Sequence, residues 1–194
     1  MSGLPQELID RIIDLVNDRE TLKACSLICS QWSPRSRKYL FAQVEFTSQT
    51  DLERWCARTR PGRSGLSPLV EVLTLSGYHP SFTSPSSLWL RSSVSILTDA
   101  TSHFQSFSAL RALEVQRWYM STDRMPSILH SFSSSLENVT RLTLGDVTIR
   151  SPTLGMFVSH FPRLDNLSIS AIRTLDDTGD LYPGFRGEIV PTHP

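Results

Sequence analysis

The sequence predicts a chain of the α+β or α/β class. A small N-terminal module of three short helices is followed by a short, irregular α/β solenoid with parallel strands. Three observations predict it. Over residues 1–46 apolar side chains recur at helical spacing, with no glycine after Gly3. One apolar pattern with strand alternation recurs four times between Val70 and Ile169. Breaker-rich stretches set these regions apart. The predicted organisation is therefore a helical domain over 1–46, a linker over 47–68, a repeat domain over 69–175 and an irregular tail over 176–194.

The chain has 194 residues, and its 19 Lys plus Arg balance 19 Asp plus Glu. A neutral chain has no global field to draw it onto polyanions, so neither nucleic acid nor an acidic membrane is an expected partner. No stretch reaches the roughly 20 apolar residues of a membrane helix. The start, Met-Ser-Gly-Leu-Pro-Gln-Glu, lacks the basic and apolar regions of a secretory signal. Three cysteines, Cys25, Cys29 and Cys56, make no disulfide framework and suit a reducing compartment. A cytoplasmic or nuclear setting follows as an expectation. Cys25 and Cys29 are one helical turn apart, with no histidine near enough to complete a metal set, so they read as buried structural thiols. The sequons at Asn138 and Asn166 read as chance matches.

The elements follow in order. Leu4-Pro5-Gln6-Glu7-Leu8 opens a helix, because proline lacks an N–H where none is needed. Leu8, Ile9, Ile12, Ile13 and Val16 continue it at helical spacing. Asn17-Asp18 interrupts the pattern, with Asp18 or Thr21 as the next cap. A second helix is expected from about Arg19 to Cys29, with Leu22, Cys25, Ser26 and Cys29 on one side. Ser33-Pro34 opens a third, carrying Tyr39, Leu40 and Phe41, and Trp32 sits at the corner. So small a module is near the lower limit for independent folding. Its apolar residues exceed one stripe. Either it shares a face with a partner, or it caps the core of the next domain.

Leu4-Pro5-x-Glu7-Leu8-Ile9-x-x-Ile12-Ile13, the run Thr21 to Trp32 with its Ser-Leu-x-Cys-x-x-Trp core, and Leu40-Phe41 together resemble the F-box motif over residues 4–46. The link Val16-Asn17-Asp18 is shorter than the family's. The resemblance implies docking on a Skp-family adaptor and, through it, a cullin. It carries the adaptor contacts onto Leu4, Pro5, Leu8, Ile9, Ile12, Ile13, Leu27, Cys29 and Trp32, with Cys29 and Trp32 equally able to hold the module together. Large apolar anchors of this kind suit a helix-in-groove interface.

After the basic loop 58–68, the pattern Leu-x-x-Leu-x-Leu, with other aliphatics allowed, starts at Val70, Leu110, Val139 and Leu164, at spacings of 40, 29 and 25 residues. The last two spacings fit a leucine-rich repeat, and the first needs an insertion, placed at Tyr78 to Leu88. In each run the central residue is polar: Thr74, Glu114, Thr143 and Ser168. On a strand it faces away from its two aliphatic neighbours. Candidate helices cover Leu88–Phe107, Met125–Phe132 and Leu154–Phe161, and Phe107, Phe132 and Phe161 precede their strands by similar distances. The Asn or Cys usual after such a strand is absent, so a small open α/β sheet stays open as an alternative. Val44 and Phe46 alternate like a short opening strand, and nothing after Ile172 reads as a capping repeat. The relatively few repeats suggest a chain shorter than its relatives.

No Gly-x-Ser-x-Gly, phosphate-binding glycine loop or His-Glu-x-x-His is present. Asp176, Asp177 and Asp180 read as a solvated turn, and Arg58, Arg60 and Arg63 as an exposed loop. Of the Ser-Pro pairs at Ser33, Ser67, Ser84 and Ser151, Ser33 and Ser151 read as turn or helix starts. The expectation is a non-enzymatic protein without cofactor or metal. It would be the substrate-recognition subunit of a Skp–cullin–F-box ubiquitin ligase, serving ubiquitin-dependent degradation. Thr74, Glu114, Trp118, Thr143 and Ser168 would face a protein substrate. The alternatives are a Skp-binding scaffold without ubiquitination, or a truncated form.

Overall fold

A computed structural model of the chain describes residues 4–47, 49–59, 65–76, 107–117, 119–120, 136–175 and 181–189. It divides into two compact units, Met1–Gln43 and Val44–Pro194.

The first unit holds α1 (Gln6–Asp14), α2 (Arg19–Ile28) and α3 (Ser33–Ala42). Pro5 is the N-cap of α1, just outside the first turn, and Glu7 places a carboxylate near the positive end of the helix. Asp18 caps α2: its Oδ2 accepts from the Thr21 amide at 2.7 Å. The third helix starts on Ser33 with Trp32 as N-cap, one residue earlier than a Ser33 cap requires. Ile9, Ile13, Leu22 and Leu40 form the core, with Val16, Trp32 and Phe41 packed against it. A polar clamp joins α1 to α3. Arg35 donates through Nε and Nη2 to the two Asp14 oxygens at 2.7 and 2.8 Å, and the Tyr39 hydroxyl adds a third bond at 2.8 Å. Cys25 is buried, but Cys29 is exposed. This corrects the reading of both as buried thiols. Cys29 is the extended C-cap, where the chain has already left the helix.

The second unit opens on β1 (Gln43–Phe46), the strand expected from Val44 and Phe46, and continues into α4 (Gln49–Arg58). Helix α4 occupies part of the segment expected as a linker. Phe46 and Trp55 meet edge to face, with ring centroids 5.9 Å apart, so this segment has an apolar anchor of its own. A 3-10 turn (Ser67–Leu69) leads into β2 (Val72–Ser76). There follow β3 (Ala112–Gln116), β4 (Tyr119–Met120), β5 (Arg141–Gly145), β6 (Thr148–Arg150), α5 (Ser151–Ser159), β7 (Asn166–Leu175) and β8 (Leu181–Ile189). Among the described residues the strands form one sheet in the order β1-β2-β3-β5-β7-β6-β4, and β8 pairs with β7. Pairing is parallel from β2 to β7, and β8 is antiparallel. Strand β8 lies in the stretch expected as an irregular tail. Its Gly and Pro residues masked the strand in the sequence, and its register against β7 shifts at two places.

The four sequence runs lie in register. Leu73, Leu113, Leu142 and Leu167 share one rung, and Leu75, Val115, Leu144 and Ile169 another. All eight are buried. A repeated turn precedes each strand. The amides of Val70, Leu110, Val139 and Leu164 donate to the carbonyls of Ser67, Phe107, Leu136 and Phe161 at 3.1–3.2 Å. Leu136 thus takes the place assigned to Phe132, which lies outside the described residues. After the rung, Arg117, Asp146 and Ala171 adopt positive φ of 55°, 51° and 57° at equivalent positions. The chain then resumes as β4, as β6 and as the second half of β7. Val147 and Ile172 follow this kink and are buried, where the repeat pattern usually has Asn or Cys. Phe157 and Phe161 complete the core beneath the sheet. The result is a mixed α+β arrangement: N-terminal helices followed by a largely parallel sheet. Of the expected repeat helices, α5 begins at Ser151, three residues before the expected Leu154. Those at Leu88–Phe107 and Met125–Phe132 fall almost wholly outside the described residues.

Candidate functional site

Helix α1 buries one stripe and exposes another. At 100° per residue, Leu8, Ile12 and Leu15 fall within an arc of about 60°, and Ile9, Ile13 and Val16 cluster about 100° further round. The burial follows. Ile9 and Ile13 are 1% and 0% exposed, whereas Leu8 and Ile12 are 46% and 41% exposed and Leu15 81%. Leu4 and Pro5 extend the open face beyond the helix start. At the end of α2, Leu27 and Ile28 are also exposed large aliphatics. These are large aliphatics left in water on a module whose own core holds few side chains.

The residues singled out from sequence therefore separate into two groups. Leu4, Pro5, Leu8, Ile12, Leu27 and Cys29 are exposed. Ile9 and Ile13 are core, and Trp32 packs half-buried against that core. Leu15 and Ile28, exposed as well, belong to the apolar residues that exceed one stripe in the sequence but are not among the positions the resemblance carries over. Leu15 was findable, since it stands three residues from Ile12 on the same arc.

The opposite side of α1 is polar. Gln6 and Asp10 face α3 across an open groove of about 510 Å³, lined also by Ser30, Gln31, Pro34, Arg35 and Lys38. Gln6 Nε2 donates to Asp10 Oδ1 at 2.9 Å and to the Gln31 carbonyl at 3.1 Å. The Arg35 guanidinium and then the Tyr39 hydroxyl hold the Asp14 carboxyl below its usual range, and the same bond to Asp14 raises the Tyr39 phenol. These contacts fix the angle between helices and leave the apolar stripe on the far side.

The polar strand residues Thr74, Glu114, Thr143 and Ser168 share one rung on the outer face of the sheet, and each is half-buried. Thr74 Oγ1 donates to Glu114 Oε2 at 3.2 Å. Trp118 lies outside the described residues. Among the described residues no group of three His, Cys, Asp or Glu side chains is placed to hold a metal ion. No described helix is long and apolar enough to cross a membrane.

No family model matches the chain. Over 92 residues, 47% of its length, the chain is 30% identical to the F-box protein COS111 of Kluyveromyces lactis. The match spans 12% of that protein. The chain is thus similar to an F-box protein over about half of its own length and spans about an eighth of that protein.

Proposed function

We propose that the first unit is an F-box-type docking module and that the protein is a non-catalytic adaptor. Its apolar stripe of Leu4, Leu8, Ile12 and Leu15, with Leu27 and Ile28, takes a Skp-type adaptor protein. The observation that carries this reading is the exposure of these aliphatics on a unit whose core is already closed by Ile9 and Ile13. A small bundle gains nothing in its own stability from such a face, and a helix-in-groove contact uses it fully. The likeness to an F-box protein points the same way. The finer reading extends this. Through the adaptor the chain joins a cullin in a ubiquitin ligase, in the cytoplasm or nucleus. The registered strands act as a short leucine-rich-repeat-like solenoid, and Thr74, Glu114, Thr143 and Ser168 face a protein substrate. The work of such a subunit is proximity, since holding a substrate beside the conjugating enzyme raises its effective concentration.

The test is co-expression with a Skp adaptor. A soluble one-to-one complex is the expected result, lost in Leu8→Ala/Ile12→Ala with the helical circular dichroism retained. A monomer that ignores the adaptor would overturn the reading. Recovery of the adaptor without a cullin would leave the docking reading standing and remove the ligase.

A further inference from the structure

Strand β7 is paired along both of its sides. On one side it meets β5 through Asn166–Ser170 and β6 through Arg173–Leu175, and both pairings are parallel. On the other it meets β8, antiparallel, from Leu167 to Leu175. The parallel run therefore stops at β7, and β8 takes the edge at which a further strand would pair. Nothing after Ile172 has the pattern of a capping repeat, yet this edge is covered.

The fit of β8 to β7 is specific. From Ile169 to Ile172 β7 takes three steps, while β8 takes two, from Gly187 to Phe185. The extra β7 residue falls at Ser170-Ala171, where Ala171 has a φ of 57°. From Ile172 to Thr174 β7 takes two steps, while β8 takes three, from Phe185 to Tyr182. The extra β8 residue falls at Pro183-Gly184. The two bulges are opposite and cancel, so Leu167–Ile169 and Thr174–Leu175 hold one common register with β8. Without the second bulge, one half of β8 would slip by a residue and turn its side chains to the other face. Strand β8 thus carries in its own sequence the correction for the kink in β7.

We propose that β8 is an edge guard, which seals β7 against pairing with the β7 edge of a second copy of this chain. An uncovered β7 would offer a row of free N–H and C=O groups along its ten residues. The β8 pairing shows that this edge accepts an antiparallel strand. Two copies related by a two-fold axis bring like strands together antiparallel, so the same edge fits itself. The outer edge of β8 is a poor template in its turn. Pro183 has no N–H to give, Gly184 and Gly187 weaken a strand, and the bulge interrupts the row. The device lies wholly in the second unit and is independent of the docking reading.

The experiment compares the full chain with a variant that lacks Gly184, by hydrogen exchange and by light scattering at matched concentration. In the variant, the β7 amides on the β8 side are expected to lose protection about tenfold or more, while those of β3 and β5 stay protected. Self-association is expected to rise above that of the unaltered chain. A synthetic peptide of residues 180–190, with the unaltered sequence, is expected to reverse the rise. Pro183→Ala keeps the residue count and is expected to keep β7 protected. Unchanged protection in the deletion variant, an exposed edge without added association, or association that the peptide leaves in place would each overturn the proposal. If the deletion also unprotects β3 and β5, warming the unaltered chain decides. Association is then expected at the temperature where β8 opens and β3 stays protected, and its absence there overturns the proposal.

Discussion

At the scale of single residues, two side chains report on how the fold handles polar groups. The first is Asp14. Its carboxyl titrates below the usual range because it accepts from Arg35 and then from Tyr39. A depressed folded pKa means that the ionised form is favoured by folding. The clamp therefore contributes its stability above the unfolded carboxylate pKa of about 3.9. That contribution is lost as pH falls through the folded value. Carbon-13 NMR of the Asp14 carboxyl is expected to show this low titration and to return toward the ordinary range in Arg35→Ala. An unmoved Asp14 in that variant would show that the clamp does not set its charge. The second is Thr148. It is 2% exposed, and its hydroxyl has no hydrogen-bond partner among the described residues. An unsatisfied buried hydroxyl costs about 1–3 kcal/mol. Thr148→Val keeps the shape and removes that cost, so denaturant unfolding is expected to show a gain of about 1 kcal/mol.

At the scale of elements, repetition makes the sheet. Glu71, Arg111 and Thr140 each offer one carbonyl to two successive amides on the next strand, at 2.9–3.1 Å. The pattern that fixes the rungs was legible in the sequence because strand alternation has a period of two, and every buried rung is aliphatic. The kink after each rung was not. Positive φ is a region glycine enters freely and other residues enter at a cost. Arg117 and Ala171 give no such signal in the sequence, and Asp146 gives only the weak one of a short polar side chain that tolerates this region. Tertiary pairing imposes the conformation: the Arg117 amide donates to the Gly145 carbonyl and the Asp146 amide to Ser170. Ala171→Gly is accordingly expected to stabilise the chain by about 0.5–1 kcal/mol, read as a higher denaturation midpoint with an unchanged slope. Strand β8 was illegible for the opposite reason, because its Gly and Pro content argues against a strand wherever pairing does not supply the missing order.

At the scale of the whole molecule, the apolar pattern of residues 4–32 carried two messages that the sequence could not separate. Buried and exposed aliphatics have the same chemistry, and the angle around α1 divides them. The structure makes the division, and the division makes a prediction. Ile9→Ala and Ile13→Ala open cavities in a core of few side chains and are each expected to cost about 2–5 kcal/mol, with loss of the helical unit. Leu15→Ala removes a side chain largely in water and is expected to shift stability by less than about 0.5 kcal/mol. Leu8→Ala and Ile12→Ala remove side chains about half in water and are expected to cost about 1 kcal/mol each. All three would relieve the self-association that an exposed apolar stripe causes. Hydrogen exchange on the full chain can tell these cases apart. The core pair should unprotect α1, α2 and α3 while the amides of β3, β5 and β7 stay protected, because each unit has its own core. The stripe variants should leave both sets protected. If the stripe variants also unfold the helices, the apolar face belongs to the stability of the protein. It would then be closed by residues of this chain, with no need of a partner to cover it.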